Sequence, residues 1–213
     1  NIFTQFTANA GPLFKGLWTT IWVTLISFVI ALLVGFIIGL MRTSDNKLFI
    51  LLAKIYIDIM RGSPLIVLAF FIYFGIPQLT GLTFGAATAG IITLSLNATA
   101  YVAEIIRDGI QAVDIGQVEA GRSLGLTKSV TMRKIILPQA TKISLPSLIN
   151  QFVITLKDTS ILSVIGLVEL TQTGKIIIAR TYQSGNMWVI VGIMYIVLIK
   201  VLTVLSDRIE GEL

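Results

Sequence analysis

The feature that most constrains this chain is a series of apolar segments, each long enough to cross a lipid bilayer. A helix needs about 20 apolar residues to span about 30 Å of hydrocarbon. Five segments meet that length: 15–41, 48–76, 85–106, 143–168 and 187–206. Helices satisfy their own backbone hydrogen bonds in lipid, and no alternating barrel-type strands occur. The sequence therefore predicts an all-α membrane protein with five transmembrane helices.

Composition supports this class and excludes others. Of the 213 residues, 55% are hydrophobic and 13% are charged, and the mean hydropathy is +0.90. A soluble fold could not solvate its surface with so few charged groups. The chain has no Cys and no His, which removes thiolate and imidazole metal ligands and the usual imidazole base. We therefore expect no catalytic residue and no metal site, and a single transmembrane domain over 1–213.

The distribution of Lys and Arg predicts the orientation. If the spans alternate, eleven basic residues fall on one side of the membrane, against Lys15, Lys175 and Arg180 on the other. Cytoplasmic loops carry the excess of basic residues. We therefore predict that the N-terminus is outside and the C-terminus inside, with Trp18, Trp22 and Trp188 near the outer interface. Topology accounts for the net charge of +5, and no nucleic-acid partner is expected.

The basic segment between the third and fourth spans, about 109–138, predicts two short helices on the cytoplasmic side. Asp114 followed by Gln117 is typical of a capping box at a helix start. Gly125 can take the left-handed conformation that ends the first helix. Thr127 can cap the second helix, and Pro138 suits the first turn of the next membrane helix.

The same segment carries the residues E-A-G at 119–121, a Gly at 125 and I-x-L-P ending at 138. Their spacing resembles the EAA loop of prokaryotic ABC-importer permeases, which docks the ATPase subunit. Three further runs resemble the polar-amino-acid branch of that family: Y-I-D-I-M-R-G-S-P-L at 56–65, A-Y-V-A-E-I-I-R at 100–107 and L-K-D-T-S at 156–160. Gly121 stands where the broad family motif has a second Ala, so a small residue remains.

The resemblance implies a transport subunit of the prokaryotic cytoplasmic membrane. The residues expected to dock the ATPase are Glu119, Ala120, Gly121, Gly125, Leu137 and Pro138. The expected partners are two ABC ATPase subunits that bind ATP and Mg, a second permease copy or a sibling permease, an extracytoplasmic amino-acid-binding protein, the amino acid and membrane lipid. No cofactor is expected on this chain, because Gly174-Lys175 is followed by Ile176 and forms no phosphate-binding loop.

Charged residues within the second span predict a transport site. Asp58 lies about 15 Å into the span, and Arg61 follows one turn later. Ionisable groups in a membrane are costly and usually have a partner or a function. The run Gly62-Ser63-Pro64 then weakens the helix, and broken helices beside charges are typical of transporter sites. The alternative is a proline kink with an internal Asp58–Arg61 ion pair.

The other spans add polar candidates for the same site. These are Lys157, Asp158 and Thr159 in the fourth span, and Asn97 and Glu104 on one face of the third span. The structural alternatives are a buried Lys157–Asp158 network, an interhelical hydrogen bond from Asn97 and a pair of Glu104 with Arg107. By the resemblance, Glu104 is a candidate for binding the ammonium group of the substrate.

The charges of these residues suit the ammonium and carboxylate of a free amino acid. Three acids against two bases favour a substrate with a cationic side chain, such as arginine, lysine or histidine. A stand-alone secondary amino-acid transporter that uses the same broken helices is the alternative function, and it would need no ATPase.

Overall fold

Ten α-helices follow one another along residues 1–211, the part of the chain that the computed structural model describes. They are α1 (Ile2–Arg42), α2 (Lys47–Gly62), α3 (Leu65–Phe70), α4 (Ile76–Thr80), α5 (Ala86–Gln111), α6 (Ile115–Ser123), α7 (Lys128–Thr131), α8 (Leu137–Asp158), α9 (Leu170–Thr181) and α10 (Ser184–Gly211). Two π-helical turns, Phe71–Gly75 and Met132–Ile136, join α3 to α4 and α7 to α8. A 3₁₀ helix, Thr159–Ile165, continues α8.

The membrane-spanning pattern agrees with the sequence. Within the described residues, α1, α5, Ser184–Ser206 of α10 and the continuous helical stretch Lys128–Ile165 are each long and apolar enough to span a bilayer. The segments Lys47–Gly62 and Leu65–Thr80 pass the same test together and meet at a bend of 101°. Counting the bent pair as one span yields the five that the sequence predicts, and the all-α class is confirmed.

Two helices extend beyond the spans that the sequence predicts. The first helix begins at Ile2 rather than at residue 15, and the side chain of Asn1 caps it by accepting from the Phe3 N–H at 3.2 Å. The helix of the fourth span, predicted from residue 143, runs on from Lys128: Pro138 lies in the first turn of α8, as predicted, but a π turn joins α8 to α7 without a break. Proline lacks an N–H and its ring clashes with a regular preceding turn. The wider π turn Met132–Ile136, directly before it, accommodates Pro138 without ending the helix.

The most extensive helix contact in the bundle joins α1 to α5 and includes two glycines one turn apart. A Cβ atom on Gly35 would lie 2.6 Å from the side chain of Val102. A Cβ atom on Gly39 would lie 2.9 Å from the carbonyl oxygen of Ala103. Such Gly-x-x-x-Gly spacing lets helix backbones approach closely in membranes, where packing replaces the hydrophobic effect. This contact joins two of the three helices that carry the ion-pair cluster described below.

The bundle has two distinct ends. At one end, the tryptophan end, Gly16 of α1 contacts Thr173 of α9, and Gly174 of α9 contacts Trp188 of α10. At the other, the segment end, Gly109 of α5 packs on α8 beside the polar segment 109–138. Buried apolar clusters fill the bundle between these ends.

A fully buried acid, Glu169, organises the tryptophan end. Its carboxylate accepts hydrogen bonds from the N–H groups of Thr171 at 2.8 Å and Gln172 at 2.6 Å, which caps the start of α9. The Tyr195 hydroxyl of α10 donates to the same carboxylate at 2.9 Å. The Leu170 N–H donates to Thr20 of α1 at 3.3 Å. Helices α1, α9 and α10 are therefore joined at one buried polar centre.

Candidate functional site

The break in the second span lies where the sequence predicts it. Helix α2 ends at Gly62, Ser63 takes an extended conformation, and Pro64 precedes α3. Because Pro64 has no N–H, the Met60 carbonyl lacks its regular helical donor. The side-chain amide of Asn97, on α5, donates to this carbonyl at 3.4 Å. Nearby, the Tyr56 hydroxyl donates to the Leu96 carbonyl at 2.7 Å, so α5 supports the broken helix at two points.

Glu104 is the centre of an ion-pair cluster that joins three helices. One carboxylate oxygen lies 3.4 Å from Nε of Arg42, the last residue of α1. The other oxygen lies 3.5 Å from Arg61 on α2 and 3.0 Å from Arg107 one turn along α5. The Glu104 side chain is only 14% exposed. The predicted Glu104–Arg107 pair is thus present, as part of a larger cluster.

The cluster carries more positive than negative charge. Arg107 also bonds the carboxylate of Asp108, at 2.7 Å. The Arg61 guanidinium lies 5.3 Å from the ring centre of Tyr101, within cation–π range. Arg61 remains 46% exposed, the most exposed arginine of the cluster. An anionic group that entered beside the break could therefore reach Arg61 first.

The remaining predicted residues of the second and fourth spans lie outside this cluster. The alternative Asp58–Arg61 pair is wrong, because Arg61 pairs with Glu104 instead and Asp58 is exposed on α2. Lys157 is exposed and Asp158 is half-buried at the end of α8. Thr159 is fully buried, and its hydroxyl donates to the Leu156 carbonyl at 2.6 Å, so it stabilises the start of the 3₁₀ turn.

Segment 109–138 forms a helix, a glycine turn and a second helix, as predicted. Gly125 has a φ of +77°. The Gly125 N–H donates to the Arg122 carbonyl at 3.0 Å and the Leu126 N–H to the Gly121 carbonyl at 3.1 Å, the bond pattern of a Schellman motif. Thr127 caps α7 by accepting from the Val130 N–H at 3.4 Å.

The predicted capping box is only half present. Asp114 caps α6, but its carboxylate accepts from the Gly116 N–H, at 2.7 Å. No side-chain hydrogen bond of Gln117 returns to Asp114 within residues 1–211. The difference is local, since an aspartate can cap a helix through the second amide as well as the third.

The predicted docking residues differ in their access to solvent. Glu119, Ala120, Gly125 and Pro138 are exposed, whereas Leu137 is half-buried. Gly121 is buried, and a Cβ atom there would lie 3.0 Å from the side chains of Thr131 and Ile135. Gly121 therefore brings α6 against the following helical turns, and the four exposed residues remain accessible.

Sequence reasoning missed two exposed apolar side chains in the same segment. Ile115 is 70% exposed and Leu124 is 81% exposed, at opposite ends of α6. It also missed an ion pair between Lys128 of α7 and Asp45 in the α1–α2 turn. Ile115 and Leu124 could have been identified from the sequence, because each is a large apolar residue in a polar segment that contains helix caps. The ion pair joins positions far apart in sequence, so no local pattern predicts it.

Comparison with known proteins assigns the chain to a family. Residues 31–212 match the family described as the binding-protein-dependent transport system inner membrane component. The chain belongs to this family. It is accordingly a non-catalytic permease subunit of the inner membrane, and the predicted relationship to the ABC-importer permeases is confirmed.

Two named permeases match almost the whole chain. The arginine transport system permease protein ArtQ of Bacillus subtilis (strain 168) is 36% identical over 201 residues, covering 94% of this chain and 92% of that protein. The glutamine transport system permease protein GlnP of Escherichia coli (strain K12) is 36% identical over 202 residues, with the same coverage.

One solved structure supports the same assignment, and a second shares the fold. A crystal structure of an amino acid ABC transporter with histidines contains a chain that is 41% identical, with a TM-score of 0.94, and covers 99% of this chain and 98% of its own. An inward-facing MetNI methionine ABC transporter is 21% identical with a TM-score of 0.83, covering 96% of this chain and 97% of its own. The second likeness concerns the fold alone.

Proposed function

We propose that this permease conducts polar amino acids across the cytoplasmic membrane, driven by two separate ABC ATPase subunits. The relatives named for arginine and glutamine transport support this substrate class. The observation that carries the proposal is the broken α2–α3 span with charged, exposed residues beside the break. Membership of the binding-protein-dependent family argues against the stand-alone secondary transporter.

The substrate path is proposed to follow the exposed face of α2. Asp58 and Arg61 lie one turn apart there, with opposite charges. A charged side chain exposed within a span does not face lipid without a large free-energy cost, so these groups face water, a partner or the substrate. Arg61 is suited to the substrate carboxylate, and Asp58 to its ammonium group.

Glu104 is proposed to act on the substrate chiefly through Arg61. Three guanidinium groups within 3.5 Å satisfy the Glu104 carboxylate in this conformation. An ammonium group would have to displace one of them to bind Glu104 directly. Asn97 holds the Met60 carbonyl and so shapes the break next to Arg61. The substrate-binding set therefore retains Glu104 and Asn97, with positioning roles.

A preference for cationic side chains remains part of the proposal. Asp58 and Asp158 lie outside the cluster around Glu104, so their negative charge is available to a cationic side chain. Lys157, beside Asp158, is suited to a second contact with a carboxylate. Substrate competition with arginine, lysine, histidine and glutamine tests this preference directly.

The ATPase subunits are proposed to bind segment 109–138 and to drive transport through it. Exposed Glu119, Ala120, Gly125 and Pro138, together with Ile115 and Leu124, offer a mixed polar and apolar surface for an ATPase subunit. This requires the N-terminus outside and the C-terminus inside, so that the segment meets ATP in the cytoplasm. A second permease copy or a sibling permease completes the path, and an extracytoplasmic binding protein delivers the substrate.

The test of this proposal is transport by the reconstituted complex. Proteoliposomes with the permease, its ATPase and its binding protein should accumulate a labelled polar amino acid only when ATP is present on the segment side. Asp58→Asn and Arg61→Gln should reduce uptake at least tenfold, whereas the control Lys47→Gln, at the start of α2, should not. Uptake without ATP, or full uptake by both variants, would refute the proposal.

A further inference from the structure

A cavity of about 610 Å³ lies between α1 and α9 at the tryptophan end, far from the break and from segment 109–138. Its α1 wall includes Lys15, Gly16 and Thr19, and its α9 wall includes Thr173 and Arg180. The contact between Gly16 and Thr173 brings the two helices together. Nothing in the proposed transport path uses this cavity.

The lining of the cavity is amphipathic and positively charged. Lys15 and Arg180 are its charged lining residues, and no acid lines it. Neither forms an ion pair among the described side chains. The nearby acid Glu169 is fully buried and is occupied by two backbone N–H groups and the Tyr195 hydroxyl. Leu167, Val168, Ile176 and Ile177 supply an apolar surface beside the two cations.

The depth of Lys15 matches the layer of lipid headgroups. At 1.5 Å per residue, Lys15 lies about 40 Å along α1 from Arg42. The hydrocarbon core is about 30 Å thick, and the bilayer with its headgroups about 40–45 Å. With Arg42 in one headgroup layer, Lys15 therefore falls in the opposite headgroup layer. Trp18, one turn from Lys15 on the same face of α1, is 63% exposed, and tryptophan prefers this interface.

We infer that this cavity binds the headgroup of an anionic phospholipid. The lipid phosphate lies between Lys15 and Arg180, where two otherwise unpaired cations bind one anion. The adjoining part of an acyl chain covers the apolar wall near Val168 and Ile176. The apolar recess beside the cations favours a lipid over the acidic surface of a docking protein, which would need only the exposed rim. The inference goes beyond the proposed transport function and does not depend on it.

Native mass spectrometry of the delipidated full chain in detergent tests this site. Palmitoyl-oleoyl-phosphatidylglycerol should bind in preference to the phosphatidylcholine of the same chains. Replacing a cation near an anionic lipid is expected to weaken binding about fivefold for each charge removed. Lys15→Gln/Arg180→Gln should therefore lose the preference, and Lys15→Arg/Arg180→Lys should retain it. The conservative pair separates a lost charge from a misfolded protein.

Lys175→Gln is the matched control. Lys175 also lies on α9, but its ammonium donates to the Ser163 hydroxyl at 2.8 Å and it does not line the cavity. Its replacement should leave phosphatidylglycerol binding unchanged. Equal losses from Lys175→Gln, or undiminished lipid binding by the double variant, would overturn the inference.

Two further measurements test whether free phosphate or a docking protein occupies the site instead of a lipid. Inorganic phosphate at millimolar concentration should not displace the lipid, and displacement would indicate a site for free anions instead. The double variant could also bind lipid normally while it weakens the stimulation of ATPase activity by the binding protein. That result would assign Lys15 and Arg180 to protein docking and overturn the lipid site.

Discussion

The side-chain amide of Asn97 donates to the carbonyl oxygen of Met60, 3.4 Å away, which Pro64 leaves without its helical partner. One helix thereby completes the hydrogen bonding of a break in another. In a membrane an unsatisfied carbonyl is costly, so a broken helix needs such a partner. The bond keeps the break, and the charged side chains beside it, in one position.

Asn97→Ala should lower the stability of the permease in detergent. Loss of an interhelical hydrogen bond of this kind is expected to cost about 1 kcal/mol. The matched control is Ser95→Ala on the same helix, because the Ser95 hydroxyl is buried with no hydrogen-bond partner. Thermal unfolding followed by tryptophan fluorescence measures both, and the control should be nearly neutral.

A double-mutant cycle sharpens this prediction. Pro64→Ala restores an N–H that can bond the Met60 carbonyl, so Asn97→Ala should cost less in that background. An equal cost in both backgrounds would show that Asn97 does not act through Met60.

Glu104→Gln should reduce substrate-stimulated ATPase activity at least tenfold while the complex still assembles. The change leaves Arg42, Arg61 and Arg107 without their shared carboxylate, so Arg61 loses its fixed position beside the break. Asp108→Asn is the control, since Arg107 is the one ion-pair partner of Asp108 among the described side chains and Asp108 is far more exposed. Comparable losses in both variants would argue against a special role for Glu104.

Gly39→Ala should destabilise the α1–α5 contact. A Cβ atom there would meet the Ala103 carbonyl and the Ile106 side chain at 2.9 Å, so the helices must separate. Gly192→Ala, on α10 with nothing within 4 Å of the new Cβ, should be neutral or slightly stabilising. The melting temperature should fall for Gly39→Ala and should not fall for Gly192→Ala. An equal fall in both variants would contradict the packing argument.

The pH dependence of stability should reveal the buried acid at the tryptophan end. Burial raises the pKa of the Glu169 carboxyl, although hydrogen bonds from Thr171, Gln172 and Tyr195 oppose that rise. The folded protein therefore keeps a proton that the unfolded chain releases, and the free energy of unfolding falls as pH rises above the usual glutamate pKa of about 4.3.

Melting curves of the parent protein and of Glu169→Gln between about pH 4 and pH 7 check this expectation. The melting temperature of the parent should fall relative to that of the variant as pH rises. A constant difference between the two proteins would show that Glu169 has an ordinary pKa in the folded state.

Local chemistry in the sequence predicted much of the fold. Apolar length predicted the five spans, Pro64 predicted the break, and Gly125 predicted the left-handed turn. The continuation of the fourth membrane helix back to Lys128 was not predicted, because it passes through a π turn before Pro138 and the sequence carries no pattern that indicates such a turn. The Gly-x-x-x-Gly spacing of Gly35 and Gly39 is a sequence signal of the close α1–α5 contact that the prediction missed.

The site was predicted less completely, because ion pairs depend on which helices meet. Glu104, Arg61 and Asn97 were identified as polar groups at membrane depth, and Arg107 follows from helical spacing. The third arginine, Arg42, comes from another helix, and only the close α1–α5 packing brings it to Glu104. Asp58, one turn before Arg61, remains exposed on α2, whereas Arg61 pairs with Glu104 of α5.

Two substitutions of different severity at Gly125 test whether segment 109–138 binds the ATPase. Proline fixes φ near −65° and cannot adopt the observed +77°. Alanine can adopt it at a cost of about 1–2 kcal/mol. Gly125→Pro should therefore abolish binding of the ATPase and Gly125→Ala should weaken it, while Gly11→Ala at the tryptophan end should have no effect. Equal ATPase recovery with all three would contradict the assignment.

Co-purification of the permease with its ATPase tests the central claim most directly. The parent permease should retain the ATPase, with activity stimulated by a polar amino acid and its binding protein. Glu119→Lys should lose the ATPase while the membrane spans still insert. An ATPase-free permease that transports alone, or an undisturbed complex with Glu119→Lys, would contradict the account.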